Sequence, residues 1–280
     1  MRTAKLPTRR NGPSHERAIG VVLLALMASC SSPKREPMTP TELRRAIASG
    51  ARTIELQIGS LQYELVRIPA GEFQMGSTAD DPDRQPNEMP ARRVRISQPF
   101  YLGRYQVTQA QYTALAGANP SNFQGADLAM DQVTYPLAVA FCEKVSTLNG
   151  VKVTFPTEAQ WEYACRAHTN TRYYSGAAAP DLGRVAWFAG NSGDRVHPGG
   201  KKEGNGFGLY DMLGNVWEFC SDFLPDYERI ADTDPIGRPT DRPAMRGGGW
   251  MSDAKYCRCA TRLLSDTMFG GTGLRLAVNP

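Results

Sequence analysis

Apolar and polar residues alternate through Thr53-Ile54-Glu55-Leu56-Gln57-Ile58, which predicts a strand with one buried face, and residues 63–68 read as its hairpin partner. Ahead of it, Thr39-Pro40-Thr41-Glu42 opens a short helix through Ala48, because Thr caps and Pro suits the first turn. Residues 94–105 read as a strand pair, and Thr108-Gln109-Ala110-Gln111 as the start of a capped helix. Leu137, Phe141, Val145 and Leu148 recur at three- and four-residue spacing, so residues 136–147 form an amphipathic helix. Thr157 with Gln160 three residues on is a capping box that opens the next helix. Residues 77–87 are an acidic, Pro-rich loop, and from about residue 169 the pattern is loops and short strands, with no internal repeat.

The N-terminal segment has a different pattern. A short apolar run, residues 18–27 (AIGVVLLALM), follows Arg9, Arg10 and Arg17 and is followed by Ala28-Ser29-Cys30. A run of that length is the apolar core of a signal peptide and is too short to span a bilayer. Met27-Ala28-Ser29-Cys30 resembles a lipobox, which makes Cys30 the lipidated residue and the membrane a partner through that anchor. The organisation read from this is a signal peptide over 1–29, then the lipidated Cys, a polar tether and a short helix and strand over 30–60. A body over 61–280 follows, held in the cell envelope at the outer membrane or periplasmic face.

Charge changes one inference. The net charge of +4 over 280 residues comes from Arg2, Lys5, Arg9, Arg10 and Arg17 against Glu16, all before Cys30, and the remainder carries equal numbers of basic and acidic side chains. No nucleic-acid partner is expected, since no basic stripe interleaved with aromatics appears in the body. With 27 Gly and 20 Pro, the body is built of turns more than of long helices.

Seven blocks occur in a fixed order: residues 68–77 (IPAGEFQMGS), 105–108 (YQVT), 119–121 (NPS), 155–164 (FPTEAQWEYA), 208–218 (GLYDMLGNVWE), 246–250 (RGGGW) and 273–276 (GLRL). Together they resemble the formylglycine-generating enzyme (sulfatase-modifying factor) family. The resemblance implies an α+β, C-type-lectin-like fold, loop-rich with short twisted sheets and a few helices. Departures are Gln106 for the usual Glu, Thr154-Phe155 for Arg-Leu and Gly249 for Ser.

The same resemblance sets expectations for chemistry. Relatives that make formylglycine bind copper through two thiolates five residues apart after the last Trp block, a soft pair suited to Cu(I). Here those positions are Ser252 and Cys257, so copper and the oxidase are not expected. Iron is not expected either: His168 and His197 are the only histidines of the body, and a facial triad needs two plus a carboxylate. Calcium is implied by residues 211–218, with carboxylates of Asp211 and Glu218 and carbonyls of Gly214 and Val216 as ligands, a hard-oxygen set. Disulfides are implied at Cys165–Cys259 and Cys220–Cys257, leaving Cys142 unpaired. Trp217, Arg246, Trp250, Ser252 and Cys257 are the candidates for any catalytic pocket. The function this adds up to is an envelope-anchored binding or structural protein with an unknown protein or peptide ligand. The alternative is a periplasmic oxidase or maturation enzyme of altered chemistry.

Overall fold

Ile54, Leu56 and Ile58 are buried along one face of β1 (Thr53–Ile58), as their alternation dictates. In the computed structural model, which describes residues 36–224, 227, 231–237, 244–264 and 271–280, β1 pairs antiparallel with β2 (Leu61–Ile68), Leu56 facing Tyr63. Before it, α1 (Pro40–Ala48) starts at a Thr39–Glu42 capping box. The segment read as a signal peptide and Cys30 lie outside the described residues. The described residues from Pro37 onward belong to one compact unit.

The two strands expected over 94–105 form as β4 (Arg92–Ile96) and β5 (Phe100–Gly103), but they do not pair with each other. β4 pairs with β3 (Gly71–Met75), a strand that the sequence pattern did not single out. β5 joins β2 and the last strand, β10 (Ala277–Val278), in a sheet of order β1-β2-β5-β10. A third sheet, β8-β7-β6-β9, contains β6 (Trp217–Phe219), β7 (Ala244–Arg246), β8 (Arg262–Leu264) and β9 (Thr272–Gly273). Within it β6 and β9 run parallel. Pairing between segments far apart in sequence separates the two halves of what reads locally as a hairpin.

Among the described residues, four more helices pack on this frame. α2 (Gln109–Ala116) and α4 (Glu158–Arg166) begin at capping boxes, Thr108–Gln111 and Thr157–Gln160, each worth about 1 kcal/mol. α3 (Tyr135–Asn149) is the amphipathic helix, but its inner face is rotated from the one predicted. Leu137 is 50% exposed and Leu148 also faces out, while Ala138, Phe141, Cys142, Val145 and Asn149 are buried. Asn149 donates to Gln57 O of β1 and accepts from Gln57 N, so a polar residue belongs to the buried face. α5 (Ala179–Val185) is a helix in a region read as loops. Among the described residues no helix is long and apolar enough to cross a membrane.

Candidate functional site

The sheet of β6–β9 and helix α4 enclose a buried ionic cluster, which decides several candidates. Arg246 is 0% exposed. Its Nε donates to Glu158 Oε1 at 3.1 Å, Nη1 to Glu162 Oε2 at 3.1 Å, and Nη2 to the Tyr227 hydroxyl at 2.9 Å. Arg262 closes on Glu158 Oε2 at 2.5 Å, and Arg166 pairs with Glu162 at 2.8 Å. Every donor edge of Arg246 is committed inside the protein, so it is a structural residue rather than one available to a ligand. Arg258 pairs with Glu88 at 2.7 Å and Asp81 at 3.1 Å, and Arg262 donates to Asn87 O at 3.0 Å, which ties the acidic 77–87 loop down onto the third sheet. Buried pairs of this kind fix geometry more than they add stability.

What that anchoring builds is a cleft of about 610 Å³. Gln85, Pro86 and Asn87 form one wall, Met251, Ser252 and Tyr256 another, residues 261–263 a third, and Trp217 takes part in the lining from β6. Gly249 lets the Trp217 indole sit against the backbone, since a Cβ there would lie 3.2 Å from Trp217 Cδ1. Met251 is 57% exposed and Tyr256 41%, so the mouth is apolar and open. The described lining holds no carboxylate, imidazole, amine or thiol.

Of the five catalytic candidates, the cleft brings together Trp217 and Ser252 alone. Ser252 Oγ accepts from Gly249 N at 2.9 Å and Ser252 N donates to Gly249 O at 2.9 Å, so the hydroxyl closes a turn. Trp250 packs edge-on against Phe123 at 5.5 Å and belongs to a separate small core. Cys257 is fully buried, its Sγ 2.5 Å from where a Cβ on Gly248 would sit, and burial pushes its thiol up to about 12.

All five described cysteines are thiols in this structure. Cys165 and Cys259 face each other with sulfurs 3.7 Å apart, the pair named from the resemblance, without a bond between them. Burial pushes Cys165 well up. At Cys259 burial is outweighed by the hydrogen bond from Cys165 and the charge of Arg166, so it is the more acidic of the two. The implied Cys220–Cys257 bond is not made. Cys220 lies where β6 ends, near Glu158 and Arg246, while Cys257 lies behind Gly248. Cys142 is buried on α3. His168 packs on Phe207, and His197 stacks on Trp187 at 3.8 Å.

The segment implied to hold calcium folds into a ring of oxygens. The carbonyls of Asp211, Gly214 and Val216 and Glu218 Oε1 lie 3.1, 3.4, 3.1 and 2.9 Å from one atom, the amide nitrogen Nε2 of Gln106. Gly214 has φ +77°, and a Cβ there would collide with the Trp187 carbonyl, so only glycine shapes this turn. Glu218 also receives Arg275 (2.6 Å) and the Trp161 indole N–H (2.8 Å). The Asp211 carboxyl is not part of the ring: Oδ2 accepts from Gly200 N at 2.7 Å, Oδ1 has no partner, and burial pushes its pKa up to about 6. The oxygens have the chemistry that calcium needs. With the Gln106 amide at their centre, the residues as arranged do not fit the ion. Gln106, Trp161, Glu158, Glu162 and Arg275 were missed as participants, although all five lie inside the sequence blocks and Gln106 stood out as a departure.

The three small sheets, the buried Arg–Glu cluster and the oxygen ring define a formylglycine-generating-enzyme fold of the C-type-lectin-like class. The chain belongs to the sulfatase-modifying factor enzyme 1-like domain family, which matches residues 55–280. It is 26% identical to formylglycine-generating enzyme of Mus musculus, over 83% of this chain and 78% of that one. It is 27% identical to the enzyme of Thermomonospora curvata, over 77% and 93%. Among solved structures it superposes on Treponema denticola variable protein 1 with a TM-score of 0.72 and 26% identity, over 81% of this chain and 99% of that one.

Proposed function

We propose that this chain is an envelope-anchored binding protein that keeps the family's fold without its copper oxidase. The observation that carries the reading is the composition of the cleft, whose described lining is mostly apolar surface and holds no carboxylate, imidazole, amine or thiol, its Arg262 being committed to Glu158. The one hydroxyl at the thiolate position, Ser252, closes a turn, and Cys257 is enclosed with its thiol held protonated. Trp217, Met251, Tyr256 and Leu263 suit an apolar side chain of an extended protein or peptide segment, with Gln85 and Asn87 as polar lining beside them. A lipid at Cys30 would hold that cleft at the membrane.

An oxidase of altered chemistry is the second reading, favoured by Cys257 being a thiol rather than half of a disulfide. One experiment separates them. The purified chain, with Cu(I), dioxygen, a thiol reductant and a cysteine peptide from a sulfatase, is followed by mass spectrometry while peptide binding is followed by calorimetry. Binding that Met251→Glu abolishes, with no aldehyde formed, supports the binding protein. Turnover of the cysteine to an aldehyde would overturn it.

A further inference from the structure

An amide NH₂ has two hydrogens, yet Gln106 Nε2 faces four oxygens within 3.4 Å. Which end of that amide points into the ring is decided by its neighbours. The backbone N–H of His197 can only donate, and it donates to Asn215 Oδ1 at 2.9 Å. That turns Asn215 Nδ2 toward the His197 carbonyl (3.1 Å) and toward Gln106 (2.9 Å). The Gln106 atom facing Asn215 must therefore accept, so it is Oε1, and the nitrogen is the atom inside the ring. Gln106 is 2% exposed and Asn215 0%, so water does not offer an alternative partner.

Charge agrees with this orientation. The one carboxylate in the ring, Glu218, is already matched by Arg275, which meets both of its oxygens at 2.6 and 2.9 Å. A divalent cation would add two positive charges to a ring whose one carboxylate is already matched, while the Asp211 carboxyl beside it turns to Gly200 N. The weakly positive NH₂ donates to two of these oxygens and faces the others without adding net charge. A carboxylate at 106 would reverse both facts, placing acceptor against acceptors and adding the negative charge that a cation balances.

We propose that the Gln106 carboxamide occupies the place of a cation in this ring, so the turn of residues 211–218 is held by an internal amide and folds without calcium. A single change, Gln106→Glu, converts the ring into a calcium site.

The test uses the purified full chain and the Gln106→Glu variant, each melted in a chelator and in calcium, with terbium luminescence as a second readout. Trp161, hydrogen-bonded to Glu218, is placed to sensitise terbium in the ring. The wild-type chain should melt at the same temperature in both solutions and give no sensitised terbium emission. The variant should be destabilised in chelator, and calcium at about 100 times its Kd should raise its Tm by roughly 5–10 °C. A wild-type chain that loses Tm on chelation and lights terbium would overturn the proposal, and this arm stands whether or not the variant folds. A folded variant with no response to calcium or terbium would overturn it as well.

Discussion

Replacing Arg246 by Met removes the centre of the buried ionic cluster while keeping most of its volume. The guanidinium contacts Glu158, Glu162, the Tyr227 hydroxyl and the carbonyls of Cys259 and Thr261. Glu158 would retain Arg262, and Glu162 would retain Arg166, so neither carboxylate is left wholly without a partner. Breaking a buried pair from one side costs about 3–5 kcal/mol, and the retained arginines argue for the lower half of that range. At roughly 2–4 °C per kcal/mol for a body of this size, the Tm falls by about 6–16 °C. Urea unfolding followed by Trp fluorescence measures this, with an unchanged m-value showing that the same structure is lost. Arg246→Lys should recover little, since one ammonium cannot reach both carboxylates and the tyrosine. A variant of wild-type stability that has lost peptide binding would refute the structural reading of Arg246.

Three further outcomes are expected. Ser252→Ala removes the turn hydroxyl bonded to Gly249 N and should cost about 0.5–1.5 kcal/mol in urea unfolding; no change would mean the turn holds without it. Burial pushes the Asp222 carboxyl up to about 6, so between about pH 4 and 6 the folded chain keeps a proton that the unfolded chain has released. That contribution grows as pH falls, by about 1 kcal/mol from pH 7 to 5, and Asp222→Asn should flatten the slope of urea midpoint against pH; an unaltered slope would refute it. Mild oxidation should join Cys165 to Cys259, while Cys142, Cys220 and Cys257 react with thiol reagents only on unfolding. A mapped Cys220–Cys257 peptide would contradict this geometry.

The chain's own sequence determined the elements whose signals are local. The alternation of β1, the capping boxes of α1, α2 and α4, and the ordered blocks needed only neighbours a few residues away, and each formed where it was read. Family membership was legible for the same reason, because the blocks are strings. Partnership across the chain was decided by the tertiary structure. β4 left β5 for β3, since strand pairing is a choice among distant segments that periodicity does not encode. Arg246 and Cys257, which sequence placed in a pocket, became enclosed supports once helix α4 and Gly248 closed over them. Gln106 shows the division most clearly. Its identity is one letter, and its meaning depends on four oxygens more than 100 residues away and on an asparagine whose orientation a single backbone N–H fixes.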